Sequence, residues 1–433
     1  MSGQISKTPI LTELSEILFR TVNEQAQARA RLHLLDWVGC AAAGAVEPAG
    51  KVLRQQSKAS AGSRAFIWGG FGNVLEMDDV DKRALLHPGP SIIPAALAIS
   101  GETSASMREL LAAIGRGYEA TIRLGRAVGP AHYALWHSTG TCGAIGAAAS
   151  SASLLSLDHD QTVHAMALAI SQSAGLWHTR HEPSSMGKQL HTANAARAGI
   201  ESAKLARDGF LGPVRILEGE QGFFRAMCQD GDPQDVLRDW GADWLIHEVS
   251  FKPWPACRHA HAVIDAALAL KASGNMPSDA LLKVRTYGDA LKFCDKPDPK
   301  TVIEAKFSLQ HCVAICLLRG EPALEDFELP AINDPDAAAL RARVQVSIGD
   351  EYEARYPARF GAEVSVGDAV IRVEDALGDP ENPVTEAQIQ QKAEMLMRAG
   401  GITPGDRKSL LEGAMLADHM ANDLIDKIAE VLS

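Results

Sequence analysis

Two changes of hydrophobic period divide this chain and leave few ways to fold it. As far as about Ser250 the apolar residues recur at helical spacing, as at Val163, Met166, Ala167 and Ile170. Three runs then break that rhythm: LLKVRTYG, RVQVSIG and AEVSVGDAVIRVED are alternating or β-rich, with AKFSLQHCVAICLLRG as a helix among them. After GDPENPV the helical period returns, with Thr385 placed as an N-cap. A segment patterned for one period cannot bury its apolar face in the other, so the fold class is mainly α with a local α+β part. At 433 residues and 46% hydrophobic content the chain exceeds what one core usually holds. The expectation is a large discontinuous all-helical domain, residues 1–251 and 379–433, with a smaller α+β lid domain inserted at 252–378.

Within the helical part, residues 11–45 form one expected helix whose apolar stripe runs through Leu32, Leu35 and Val38 into the small-residue run GCAAAGA. Further helices are expected over 104–128, 141–155, 160–173 and 192–207. Between Ser63 and Ser100 the pattern is irregular: GGFGN is expected to break any helix, DDVDK is a charged turn, and LLHPGPSIIPAALAIS is a proline-delimited helix.

A formal charge of -12 argues against nucleic-acid and anionic-membrane binding, which need a basic surface. Seven cysteines scattered without a C-x-x-C pair fit reduced thiols. The opening MSGQISKTPILTELSEILFR lacks a basic segment followed by an apolar run, and no apolar stretch reaches the ~20 residues of a membrane span. A cytoplasmic protein is expected.

Chemistry concentrates in His132–Gly199, where Tyr133, His137, Lys188 and His191 stand at the edges of small-residue segments. His87 before Pro-Gly-Pro, and His259 and His261 at the start of an amphipathic helix, also fall at element boundaries, where side chains can face a cleft. A lysine such as Lys188, partly buried, either exchanges protons or clamps a substrate carboxylate. Tyr133 could serve as the complementary proton donor. The acidic run MDDVDK lacks the spacing of a calcium loop, so a solvated turn or helix cap is the better reading, with a substrate-site or organising carboxylate as the alternative; the glycines 140, 143 and 146 lack the preceding strand of a phosphate cradle, so close helix packing is the better reading there. No metal ligand set with zinc spacing is present.

These blocks together resemble the MmgE/PrpD family. The resemblance spans nearly the whole chain: RLHLLDWVGCAAAG, EMDDV with LLHPGPSIIPAALA, WHSTGTCGAIGAAA, MGKQLHTANAARAG, KPWPACRHAHAVIDAAL, EAKFSLQHCVA and GDPENPVTEAQIQQKAEML, in that order. It implies a homodimer, no metal or organic cofactor, and a small di- or tricarboxylate substrate. The implied catalytic residues are Lys188, His137, Tyr133, His87 and His261, with Asp78, Asp79, Glu76, Arg258, His259 and His191 binding substrate. The chain departs from the family pattern at Asn73, where many members carry His, and at Val80, Ala193 and His311, where Thr, Gly and Tyr are common.

The implied reaction is proton abstraction next to a carboxylate, ending in dehydration or decarboxylation. LGRAVGPAHYALWHSTGT resembles the part of the family that epimerises iminodisuccinate, with Tyr133 and Lys188 working on opposite faces. A third reading is a helical scaffold or small-acid binder that keeps the fold without the chemistry.

Overall fold

The structure, a computed structural model, describes residues 8–182, 184–274, 280–415 and 421–432. It divides into two compact units, Met1–Val249 with Thr385–Ser433, and Ser250–Val384. Residues 379–384, expected with the C-terminal helices, group with the second unit. There Asp379 accepts from Ser250 Oγ at 2.5 Å and pairs with Arg258, while the Phe251 N–H reaches the Gly378 carbonyl.

The first unit begins with α1 (Ile10–Leu18), α2 (Glu24–Gly44), α3 (Pro48–Leu53), α4 (Ala61–Gly72), α5 (Gly89–Thr103) and α6 (Met107–Ala127). It continues through α7 (Pro130–Leu135), α8 (Ser138–Leu154), α9 (His159–Ile170), α10 (Gly187–Arg207) and α11 (Phe223–Met227). The helix expected over 11–45 is two, because Asn23 accepts from the Ala26 N–H and caps a fresh start. The helix expected from Thr192 begins at Gly187, which puts Lys188 and His191 on its first turns.

GGFGN does not break α4. The helix runs through Gly69 and Gly70 to Gly72 because packing outweighs the ~1 kcal/mol helix penalty of each glycine. A Cβ at Gly69 would lie 3.0 Å from the Pro90 carbonyl oxygen and 3.3 Å from Ala193 Cα, so glycine lets α5 and α10 close on α4.

Helix α8 is the hub, packed on α5, α6, α9 and α10, and every residue of it except Ser153 is buried. Its small side chains explain that position: a Cβ at Gly146 would lie 2.4 Å from the Gly117 carbonyl oxygen, and one at Gly199 2.5 Å from the Ala148 nitrogen.

In the second unit α12 (His261–Ala272) leads to β1 (Leu282–Thr286). Then α13 (Gly288–Cys294), α14 (Val302–Lys306), α15 (Leu309–Arg319), α16 (Leu329–Ile332) and α17 (Pro335–Arg341) cross to β2 (Val344–Ile348), which pairs parallel to β1 with Val284 opposite Val346. After α18 (Asp350–Glu353), β3 (Ala362–Val366) and β4 (Ala369–Val373) form a hairpin, giving the sheet order β2-β1-β3-β4. Helices α12 and α15 pack on this sheet. The expected fold class, mainly α with a smaller α+β part, is the one observed.

Back in the first unit, α19 (Glu386–Ala399), capped by Thr385 and Gln388, lies on α2 and is followed by α20 (Pro404–Met415) and α21 (Ala421–Val431). The small-residue run of α2 is its seat: a Cβ at Gly39 would be 2.9 Å from Ala393 Cα. All seven cysteines are buried thiols. Among the described residues no helix is long and apolar enough to cross a membrane.

Candidate active site

The acidic loop between α4 and α5 folds back on itself. The Asp81 N–H donates to the Leu86 carbonyl at 2.9 Å, and this bridge returns His87 to the side of Asp78 and Asp79. His87 Nδ1 lies 2.7 Å from the Asp79 carbonyl oxygen and 3.0 Å from Asp78 Oδ2. A carbonyl only accepts, so Nδ1 carries a proton and the ring is turned with Nε2 away from this contact. Asn73 Nδ2 donates to the same Asp78 oxygen at 2.7 Å. The His87 N–H in turn donates to Thr139 Oγ1, on the first turn of α8, at 3.0 Å.

Asp79, expected to bind substrate, is occupied by the protein. Its Oδ2 accepts from Tyr118 at 2.6 Å and faces His33 Nδ1 at 2.8 Å, and its Oδ1 accepts from the Gly89 N–H at 3.0 Å. Burial pulls the His33 pKa down to about 4, against its bond to Asp79, and pushes that of Tyr118 well up, so both meet Asp79 as neutral donors. Asp81 accepts from Arg126 at 2.5 Å and from the Ala84 N–H at 2.7 Å. The three carboxylates of MDDVDK thus have separate partners and are buried, so the segment is not the solvated turn expected but a loop organised by its own carboxylates.

Beneath the loop, Lys392 of α19 bonds Asp36 Oδ1 and the Met77 carbonyl, each at 2.6 Å. Burial raises the Asp36 pKa to about 6 despite this ammonium.

His137 caps the start of α8, its backbone carbonyl accepting from the Gly140 N–H at 2.8 Å. Its Nδ1 meets His191 Nδ1 at 3.2 Å, and its ring packs on Trp177 with 4.4 Å between centroids. Burial lowers the pKa of both imidazoles, and Lys188 nearby lowers them further. Two neutral rings sharing one Nδ1–H···Nδ1 bond result. Tyr133 stands edge-on to the other side of this group, 5.9 Å from the Trp177 ring.

Lys188 forms an ion pair with Glu76, joining the start of α10 to the acidic loop. Glu76 holds a left-handed backbone, φ 61°, with its carboxylate buried. Conformations of this kind cost of order 1–3 kcal/mol and persist where surroundings impose them, often at functional sites. The first unit therefore brings together Glu76, Asp78, His87, His137, Lys188 and His191, with Tyr133 packed beside them on Trp177.

The remaining three expected residues belong to the second unit, each engaged within it. His259 is stacked between Phe293 and Phe360, bonds the Tyr287 hydroxyl at 2.8 Å, and has its pKa pulled down to about 4 by burial. His261 Nε2 donates to the Ala256 carbonyl at 3.2 Å. Arg258 is paired with Asp379 and lies over Phe360.

Of the departures from the family pattern, Asn73 is the one in the site, as a donor to Asp78. Ala193 is packed against Gly69 in the α4–α10 contact, and Val80 is buried. His311 donates from Nε2 to the Asp326 carbonyl at 2.8 Å and faces Arg341 at 3.2 Å through Nδ1, a buried structural imidazole. Sequence reasoning missed Trp177, Thr139, His33, Tyr118, Asp36 and Lys392. The one signal was the single lysine in the apolar stripe of α19, since a buried lysine requires an acidic partner.

Residues 13–235 match the MmgE/PrpD N-terminal domain, and residues 254–413 match the MmgE/PrpD C-terminal domain. The cis-aconitate decarboxylase-like protein oryM of Aspergillus oryzae is 26% identical over 451 residues, covering 93% of this chain and 92% of its own. Cis-aconitate decarboxylase of Homo sapiens is 27% identical over 301 residues, covering 65% and 60%. The mitochondrial 2-methylcitrate dehydratase of Yarrowia lipolytica is 27% identical over 213 residues, covering 47% and 41%. With both domains matched in order across most of its length, this chain is an enzyme of the MmgE/PrpD family.

Proposed function

We propose that the enzyme acts on a small di- or tricarboxylic acid, without a cofactor, by proton transfer at the carbon next to a carboxylate: in dehydration a base removes that proton and hydroxide leaves as water, and in decarboxylation carbon dioxide leaves and the carbanion takes up a proton. The observation that carries this reading is the anchoring of His87, whose Nδ1–H is held by Asp79 O and Asp78, which leaves Nε2 as the ring atom turned away from those contacts. Nε2 takes the proton, and the Asp78 carboxylate beside Nδ1 stabilises the imidazolium that forms. Lys188 receives the substrate carboxylate on which negative charge grows, and Glu76 is the counter-ion that this carboxylate replaces. The neutral His137–His191 pair donates a hydrogen bond without adding a charge to the cleft.

Asp79 acts from beneath, orienting the loop. The names of the relatives, a decarboxylase and a dehydratase, support the substrate class and the departing group. His261, Arg258 and His259 stand in the same proposal on the resemblance alone, as does the homodimer, which sedimentation would check.

A second reading is epimerisation, with Tyr133 and Lys188 exchanging a proton on opposite faces. The placement of Tyr133 against Trp177, on which His137 also packs, favours it. Incubation in deuterium oxide with 2-methylcitrate, cis-aconitate and iminodisuccinate separates the readings. Water or carbon dioxide release supports the first, label exchange with inversion and no lost group the second. Binding without exchange or turnover across the panel would leave only a small-acid binder.

A further inference from the structure

A cavity of about 570 Å³ opens on the first unit, and none of its lining residues belongs to the site above. That volume falls within the range of small-molecule pockets. Its apolar wall includes Leu18, Val22, Leu154 and Leu157, and its polar lining carries Arg116 of α6, the exposed Arg108 at the start of the same helix, and several serines and threonines.

Arg116 is the unusual member. Its Nε donates to the Leu18 carbonyl at 2.8 Å and its Nη1 to Ser153 Oγ at 2.9 Å, and among the described residues no carboxylate forms an ion pair with it. Arg123, two turns further along the same helix, shows the contrast: it is paired with Glu119 and bonded to two carbonyls. Burial with no acidic partner pushes the Arg116 pKa down, the mark of a cation short of a counter-charge.

Two further observations point to a ligand. Ser104 and Ser156, both with φ 54°, follow the ends of α5 and α8 in the left-handed conformation where glycine is the usual residue. Both are among the lining residues, in a backbone conformation whose steric cost glycine would avoid. The one carboxylate on the lining, Glu109, is turned to its own helix cap, accepting from the Ser106 N–H and Oγ at 2.8 and 2.7 Å.

We propose that this cavity is a second binding site, for a small amphipathic monocarboxylate whose head sits on Arg116 and whose apolar body lies against Leu18, Val22, Leu154 and Leu157. A planar guanidinium fork suits a carboxylate, and the apolar wall facing Arg116 suits a ligand charged at one end only. The site differs from the candidate active site in ligand class, and the proposal stands whether or not the reading of that site does.

Calorimetric titration of the full-length protein with hexanoate, hexanol and succinate tests it. Hexanoate should bind saturably and about tenfold or more tighter than hexanol, the worth of a charge-assisted hydrogen bond. Succinate should not compete with it. Arg116→Met and Ala112→Leu, the latter adding bulk to the lining one turn before Arg116 while keeping the guanidinium, should each weaken hexanoate binding about tenfold or more. If Arg116→Met does not fold because Arg116 serves only to cap α1 and α8, Ala112→Leu decides: retained binding overturns the proposal. Hexanoate binding no tighter than hexanol overturns it as well.

Discussion

His87 and Asp78 are joined through one ring atom: Nδ1 of the histidine lies 3.0 Å from Oδ2 of the aspartate, the oxygen that also accepts from Asn73. The amide and the imidazole therefore act on the same carboxylate oxygen. His87→Ala should lower kcat by about 10²-fold or more, the usual worth of one proton-transfer partner. Asp78→Asn should retain the fold and lose about 10- to 100-fold, because the ring loses its orientation and the stabilisation of its charged form. Steady-state kinetics on the substrate found in the deuterium panel measures both, and an unaltered kcat in His87→Ala removes His87 from the reaction.

Lys188 and Glu76 separate binding from chemistry. Lys188→Ala should lower kcat/KM by about 10²-fold or more. Glu76→Gln leaves Lys188 without its internal competitor, so KM should fall a few-fold. A KM that instead rises in Glu76→Gln would mean that Glu76 holds Lys188 in place for substrate.

The second unit should be acid-labile. His259 and His311 each have a pKa pulled down to about 4, chiefly by burial, whereas unfolded imidazoles titrate near ~6.5. Between those values the unfolded chain binds more protons than the folded one. The stability these histidines contribute is complete above about pH 6.5 and is lost as pH falls toward 4, by roughly 2–3 kcal/mol for each. Asp265, held above its ordinary range by burial, works in the opposite direction. His311→Gln keeps a donor and an acceptor in place, so it should flatten the dependence of the melting temperature on pH between 5 and 6.5 by about one proton.

Gly146 tests the close packing of α8. A Cβ there would lie 1.9 Å from Thr121 Oγ1 and 2.4 Å from the Gly117 carbonyl oxygen, so Gly146→Ala should destabilise by about 2–3 kcal/mol. Gly405→Ala, whose nearest heavy atom would be 4.0 Å away, should be neutral or slightly stabilising. Chemical denaturation of the two variants makes the comparison.

Metal removal should leave the reaction untouched. Asp78, Asp79 and Asp81 each have their own donors within the protein and do not need a shared cation. Dialysis against a chelator followed by assay checks this, and activity that is lost and then restored by a divalent ion would contradict it.

The period switch near Ser250, the cap at Thr385 and the small-residue helices were legible because each is set by neighbours a few residues apart. Glu76, His87, His137, Lys188 and His191 were singled out on a different ground, since they lie in blocks that resemble a family, and the structure sets them near one another. The run GGFGN was misread: helix propensity belongs to the local chain, whereas the absence of a Cβ at Gly69 matters only against Pro90 and Ala193. Asp79 was read as a substrate ligand because nothing near it in the chain discloses Tyr118 and His33, which saturate it from other helices.

The sequence alone determined that this protein is helical with an inserted α+β part, and which residue types its chemistry would draw on. Local periodicity suffices for the first, and proton transfer next to a carboxylate needs bases and cations whatever the fold. Only the tertiary structure decided which groups are spent inside the protein and which stay poised. That depends on partners tens to hundreds of residues apart, as where Lys392 reaches Asp36 and Met77 beneath the acidic loop. A buried charge or tautomer is set by whatever lies within a few ångströms of it, and that neighbourhood exists only after the helices have packed.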